Sequence, residues 1–172
     1  MTEDDYSYMS FETTIRDHGP DADACLESNG ISLRAIREFE YPARSRTVAE
    51  ARGRIFHTAD GADFDLYDSI DGSHVRLYKS LFDRNGWPTD ALEDVLAENF
   101  GKDDEFPPRL HIHLNRVTLS RKKERKSLIK AIERLMVAQA DGRVLITAEN
   151  VGELGEIGFI EFNELQIFWT GA

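Results

Sequence analysis

The amino-acid sequence predicts a single α/β domain in which a mixed sheet is flanked by helices. The chain has 172 residues, a usual length for one domain, and 41% of them are apolar, which is enough for one packed core. Apolar residues alternate in some segments, as in strands, and recur at helical spacing in others. The second half reads strand, helix, strand, which is the order of a crossover unit between parallel strands.

The N-terminal segment 1–30 is acidic and rich in Ser, Thr and Gly, and it has turn signals at residues 17–23 and 27–30. Such a composition predicts a loosely structured lead-in, with the folded domain in residues 31–172. Apolar residues in 31–41 indicate a first strand, and the segment 48–57 indicates a second.

Two amphipathic helices are expected next. In residues 71–82, Val75, Tyr78 and Leu81 recur at helical spacing, and residues 89–100 show the same pattern behind a Thr or Asp cap. The aromatic residues Tyr67, Tyr78 and Phe82 have a spacing that is typical of core residues.

The clearest strand is 110–119, in which apolar and polar residues alternate. A helix over about 125–138, a strand over 143–148 and a final strand over 164–169 follow. A right-handed crossover makes the strands 110–119 and 143–148 parallel neighbours with the helix packed across them.

The net charge of −11 argues against a general binder of nucleic acids or anionic membranes, because both need a basic surface. One segment reverses this sign, since residues 116–134 contain eight basic and two acidic side chains. They surround the end of a strand and the start of a helix, where α/β folds commonly hold anionic ligands. The alternative is that these basic side chains form a solvent-exposed helix face whose charge acidic neighbours neutralise.

His111 and His113 lie two residues apart on the predicted strand, so their side chains share one face. They could act as a general base, but they could equally be structural or surface histidines. A His-x-His pair can also bind a metal, yet no third ligand stands at a telling spacing, and no metal site is predicted. The single cysteine, Cys25, predicts neither a disulfide nor a nucleophile.

The C-terminal part of the chain contains these features in order: the strand Leu114-Asn-Arg-Val-Thr-Leu119, a basic loop, a helix through Ile132 to Leu135, the strand Val144-Leu-Ile-Thr-Ala148, Asn150 and the pair Gly158-Phe159. With these features the chain from Leu114 on resembles the GNAT superfamily of acyl-CoA-dependent N-acetyltransferases, and the elements before it do so more weakly.

The resemblance implies transfer of an acetyl or other acyl group from coenzyme A to an amine carried by a small molecule or a protein. It implies that the loop after the strand holds the coenzyme A diphosphate and that His111 or His113 takes a proton from the amine, while the general acid stays unassigned. The implied cofactor-binding residues are Leu119, Arg121, Arg125, Lys126, Ser127 and Asn150.

A second functional interpretation is a binding protein of the same fold that has lost acyl transfer. It is favoured by the loop 121–127, which lacks the glycines that allow close backbone approach to phosphate. Such a protein would use the basic region 116–134 to contact a partner. In either case we expect a cytoplasmic protein without a membrane segment, because the sequence shows no signal peptide and no apolar run of spanning length. A homodimer is a candidate assembly.

Overall fold

A computed structural model describes residues 7–16, 28–40, 42–70, 72–103, 106–119, 131, 143–149, 154 and 158–170. Within these residues the chain forms one seven-stranded mixed sheet and three helices. The strands are β1 (Ser7–Arg16), β2 (Ser28–Phe39), β3 (Arg44–His57), β4 (Leu110–Leu119), β5 (Val144–Glu149), β6 (Ile160–Phe162) and β7 (Leu165–Thr170). The helices are α1 (Phe64–Asp68), α2 (Gly72–Leu81) and α3 (Asp90–Phe100).

The strands follow the order β1-β2-β3-β4-β5-β7-β6, so β4 occupies the centre of the sheet. β4 and β5 are parallel, with partners that run from Leu110 and Val144 to Leu114 and Ala148, whereas the other neighbouring pairs are antiparallel. The parallel pairing expected from the strand-helix-strand order is therefore confirmed. Of the helix expected over about 125–138, only Ala131 lies within the described residues, and it is helical and buried.

The helices α2 and α3 confirm the two amphipathic helices expected before β4. The side chain of Thr89 caps α3 by accepting a hydrogen bond from the backbone N–H of Leu92 at 3.3 Å. Gly101 ends the helix in the left-handed conformation, with φ of 66°, which glycine adopts at low cost. The short α1 was not expected from the sequence, and Asp63 caps it.

Apolar side chains cover both faces of the sheet, because successive residues of a strand point to opposite faces. On one face, Leu110, Ile112 and Leu114 of β4 join the core that also contains Leu154 and Phe159. On the other face, which we call the helix-covered face, the helices pack against side chains of the central strands. The buried strand residues in that second core are Phe56, Leu145, Phe162, Ile167 and Trp169.

The N-terminal expectation is wrong for residues 7–16 and 28–30. Residues Ser7–Arg16 form the edge strand β1, which pairs antiparallel with β2 along its whole length. The strand forms because Met9 and Phe11 pack against the core while Ser10 between them is polar, which suits a half-buried edge strand. This alternation was not recognised from the sequence, because the segment is acidic and rich in Ser, Thr and Gly.

In the part of the chain that the structure describes, no helix is long and apolar enough to cross a bilayer.

Candidate active site

A cluster of polar side chains lies inside the helix-covered face of the sheet, and we call it the histidine cluster. It consists of Tyr67 from α1, His74 from α2, His111 and His113 from β4, and Thr147 from β5. Tyr67, His111 and Thr147 are fully buried, and His113 is 3% exposed. Buried polar groups of this kind are costly unless they are hydrogen-bonded, so their partners decide what the cluster can do.

Hydrogen bonds link four members of the histidine cluster in a row. The Tyr67 hydroxyl lies 2.7 Å from Nδ1 of His111, and Nε2 of His111 lies 2.8 Å from Oγ1 of Thr147. The same Thr147 oxygen lies 2.8 Å from Nδ1 of His113. On the far side, Nε2 of His113 lies 3.6 Å from a carboxylate oxygen of Glu149, whose side chain is 55% exposed. The row therefore leads from the protein interior to a solvent-accessible carboxylate.

Burial keeps the inner members of this row neutral. Desolvation raises the pKa of the Tyr67 hydroxyl well above its ordinary value, and Tyr78 raises it further. Desolvation also lowers the pKa of His111 well below its ordinary value, and repulsion from His113 and His74 lowers it further. At neutral pH, Tyr67 thus keeps its proton and His111 carries one proton on its ring.

The direction of the hydrogen bonds follows from Tyr67. If His111 donated to the Tyr67 oxygen, the hydroxyl proton would need another acceptor, and the described residues offer none. Tyr67 therefore donates to Nδ1 of His111, and His111 donates through Nε2 to Thr147. The single hydroxyl proton of Thr147 then goes to Nδ1 of His113, which places the His113 ring proton on Nε2, facing Glu149.

Aromatic rings enclose the inner half of the cluster. The Phe56 ring stacks on Tyr67 with centroids 4.1 Å apart and lies 5.6 Å from the His111 ring at an angle of 23°. The His74 ring meets the His113 ring edge-on at 5.9 Å. These apolar surroundings exclude water from His111 and leave His113 as the histidine of β4 that lies closer to the surface.

The outer end of the cluster lies where β4 and β5 stop pairing with each other. Their last pair is Leu114 with Ala148, although β4 continues along β3 and Glu149 continues along β7. A bulge in the β3–β4 ladder leaves Asn115 opposite the step between Arg52 and Gly53. We call the place where the β4–β5 pairing ends the strand gap, and Asn115 and Glu149 are the next residues of the two strands there.

The structure brings together the two histidines proposed from the sequence and places neither on the surface. Leu119 is the last residue of β4 and pairs with Ala49. Among the described residues, no three His, Cys, Asp or Glu side chains are arranged to hold a metal ion. The remaining residues implied in cofactor binding lie outside the described residues: Arg121, Arg125, Lys126, Ser127 and Asn150.

Three members of the cluster were missed from the sequence, namely Tyr67, His74 and Thr147. Tyr67 was assigned to the core, and its burial agrees with that, but its hydroxyl also sets the hydrogen-bond direction of His111. Thr147 had a usable signal, because it is the one polar residue in the buried run of Val144 to Ala148. A hydroxyl in such a run predicts a buried polar partner.

The chain is thus an α/β protein with a seven-stranded mixed sheet and a buried histidine cluster beside the strand gap. Comparison with family models, with curated proteins and with solved structures finds no match for it.

The two shifted pKa values predict how stability depends on pH. Below about pH 6.5 the unfolded chain protonates His111 while the folded chain does not, so the free energy of unfolding falls by up to about 1.4 kcal/mol per pH unit. Above about pH 10 the unfolded chain ionises Tyr67 first, and stability falls again. Urea unfolding from pH 5 to 11 measures both limbs. The His111→Gln variant should lack this contribution to the acid limb, whereas His57→Gln, which removes an exposed histidine, should keep it; equal acid limbs in all three proteins would contradict the assignment.

Proposed function

We propose that the protein is an acyl-CoA-dependent N-acyltransferase that moves an acetyl or other acyl group from coenzyme A to an amine. The observation that carries this proposal is the position of the His113–Glu149 pair at the strand gap of the parallel strands β4 and β5. The pair joins a buried, oriented imidazole to an accessible carboxylate, and an amine acceptor requires a group that takes up its proton.

In the proposed reaction the Glu149 carboxylate attracts the acceptor in its ammonium form and takes the proton that makes the nitrogen nucleophilic, while the Nε2–H of His113 faces this carboxylate and orients it. The amine nitrogen then attacks the thioester carbonyl carbon, forming the C–N bond, and the C–S bond breaks. The thiolate of coenzyme A takes up the second proton of the nitrogen, and the first proton leaves through Glu149 to solvent. His111 touches no substrate, because it is fully buried, and acts as a positioning residue through Thr147.

The strand topology supports this cofactor assignment. The parallel pairing of β4 and β5 means that residues 120–130 follow the carboxyl end of β4, which is where open α/β sheets bind ligands. The basic side chains Arg121, Arg125 and Lys126 belong to that segment and would face the diphosphate, with Asn150 following β5. When bound, coenzyme A supplies the activated acyl group.

The test is calorimetry with acetyl-CoA, followed by an acyl-transfer assay on a panel of small amines. We expect micromolar binding of acetyl-CoA, weakened by Arg125→Ala and Lys126→Ala. Replacing His113 by Gln should lower kcat/KM by about 100-fold or more while acetyl-CoA still binds, because Glu149 loses the ring that orients it and a general base typically contributes that factor. The matched control is His57→Gln, which removes an exposed histidine at the end of β3.

Two results would contradict the proposal. One is the absence of acetyl-CoA binding at millimolar ligand, which would favour the second interpretation, a binding protein that contacts a partner through residues 116–134. The other is transfer that proceeds at the same rate in His113→Gln and the wild type. The glycine-free loop 121–127 is the feature that favours the binding protein.

A further inference from the structure

A groove of about 560 Å³ lies on the surface of the sheet beside the histidine cluster, and we call it the arginine groove. A volume of this size is typical of sites for small molecules. The polar side chains that line it come from the four strands β1 to β4: Thr14, Ser32, Arg52, Arg54, Asn115 and Arg116.

The sheet register places the arginine groove on the same face as the His113 side chain. Arg54 of β3 is the direct cross-strand partner of His113, and partners in a ladder point to the same face. Arg52 is likewise the partner of Arg116, two positions further along the ladder. The groove therefore begins next to His113 and extends along the β3–β4 ladder to Arg116.

The β3–β4 bulge determines which side chains enter the groove. A regular strand would send Asn115 and Arg116 to opposite faces, whereas both line the groove here. Gly53 makes the bulge feasible, because a Cβ atom at this position would lie 1.8 Å from the His113 carbonyl oxygen. The glycine thus aligns an amide and a guanidinium group with the two arginines of β3.

The described part of the lining is basic on a chain whose net charge is −11. Among the described residues that line the groove, three are arginines and none is acidic. Glu50 offsets part of this charge, since it forms ion pairs with Arg52 and with Arg34 outside the groove. Within the described ranges, Arg116 forms no ion pair with a carboxylate. Such a concentration of guanidinium groups with hydroxyl and amide neighbours is the chemistry that recognises carboxylate or phosphate.

We propose that the arginine groove binds the anionic group of the acyl acceptor, so that the acceptor is a small amine that also carries a carboxylate or a phosphate. This proposal rests on the proposed function for the identity of the ligand as an acceptor. The two ladder pairs lie two residues apart on β3, or about 7 Å along the strand, so the amine and the anion of the acceptor are a few bonds apart. The anion lies against Arg54 and Arg116, and the amine points to His113 and Glu149.

The groove is tested by titrating the full chain, without coenzyme A, with three amines of similar length: phosphoethanolamine, β-alanine and propylamine. We expect both anionic amines to bind more tightly than propylamine, and the stronger of the two identifies phosphate or carboxylate. Arg116→Ala and Arg54→Ala should each weaken anion binding by about tenfold or more, because each removes a charge-assisted contact. Arg46→Ala is the matched control, since it removes an exposed arginine of β3 outside the groove.

Because Arg54 is half-buried, the exposed Arg116 gives the decisive variant if Arg54→Ala fails to fold. Equal binding of the three amines, or unchanged anion binding in Arg116→Ala, would overturn the proposal that the groove binds the anionic group of the acceptor. The two proposals separate cleanly in this experiment. If the protein binds the anionic amines but not acetyl-CoA, the proposal of an anion site in the groove is supported and the proposal of an acyltransferase is contradicted. If the protein transfers acyl groups equally well to amines with and without an anionic group, the acyltransferase is supported and the anion site is contradicted.

Discussion

Replacing Gly53 by alanine is expected to destabilise the protein by more than about 3 kcal/mol or to prevent folding. The added Cβ atom would lie 1.8 Å from the carbonyl oxygen of His113 and 2.9 Å from the Cα atom of Leu114. Both are backbone atoms, so no side-chain rotation relieves the overlap and β3 must move away from β4. The free energy of unfolding, from urea titration followed by circular dichroism, measures the effect.

Gly72→Ala is the matched control for this substitution. Gly72 begins α2, and nothing lies within 4 Å of the position where its Cβ atom would be. Its replacement should change the free energy of unfolding by no more than about 1 kcal/mol, because alanine is the better helix residue. Similar stabilities of the Gly53→Ala and Gly72→Ala variants would show that β3 and β4 are not in close contact at the bulge.

Replacing Thr147 by valine is expected to cost about 2 to 5 kcal/mol. Valine has nearly the same shape but removes the one oxygen that bonds both His111 and His113, and each buried nitrogen left unpaired costs about 1 to 3 kcal/mol. Nitrogen NMR of the histidine rings adds a direct readout. In the wild type we expect the proton of both rings on Nε2, and in Thr147→Val the two rings should no longer share one fixed arrangement.

Two further variants show whether the loss of stability comes from removing the hydroxyl at this buried position. Thr147→Ser keeps the bridging oxygen and should recover most of the lost stability. Thr118→Val makes the same chemical change at an exposed site of β4 and should stay within about 0.5 kcal/mol of the wild type. A Thr147→Val protein as stable as the wild type would show that Thr147 does not bridge the two histidines.

The sequence predicted those parts of the fold in which a local signal and the tertiary structure agree. The alternation in 110–119 corresponds to β4. Thr89, a predicted helix cap, does cap α3. The parallel pair followed from the handedness of a crossover and not from any residue at the interface. Edge elements were missed because their signals are weak. β6 has three residues, and its turn to β7 depends on Asn163 and Glu164 adopting positive φ values of 47° and 67°.

The candidate site was predictable only where its residues are close in sequence. His111 and His113 were found because two residues on one strand share a face. Their partners come from α1 and β5, and a hydrogen bond such as that from Tyr67 to His111 depends on how a helix packs on the sheet. Local sequence does not encode such a contact. The arginine groove was not predicted for the same reason, since the bulge that aligns Asn115 with Arg116 exists only in the paired sheet.

The central position of the single parallel pair also bears on the order in which the molecule assembles. β2 and β3 are joined by residues 40–43, whereas β4 and β5 are separated by residues 120–143, and a connection roughly six times longer costs about 1.5 kcal/mol more to close. The antiparallel hairpins of the N-terminal half can therefore form early, while the β4–β5 contact forms late. Thr147 meets His111 and His113 only across that contact. We therefore expect the hydrogen-bonded row from Tyr67 to His113 to form only late in folding, after the N-terminal hairpins.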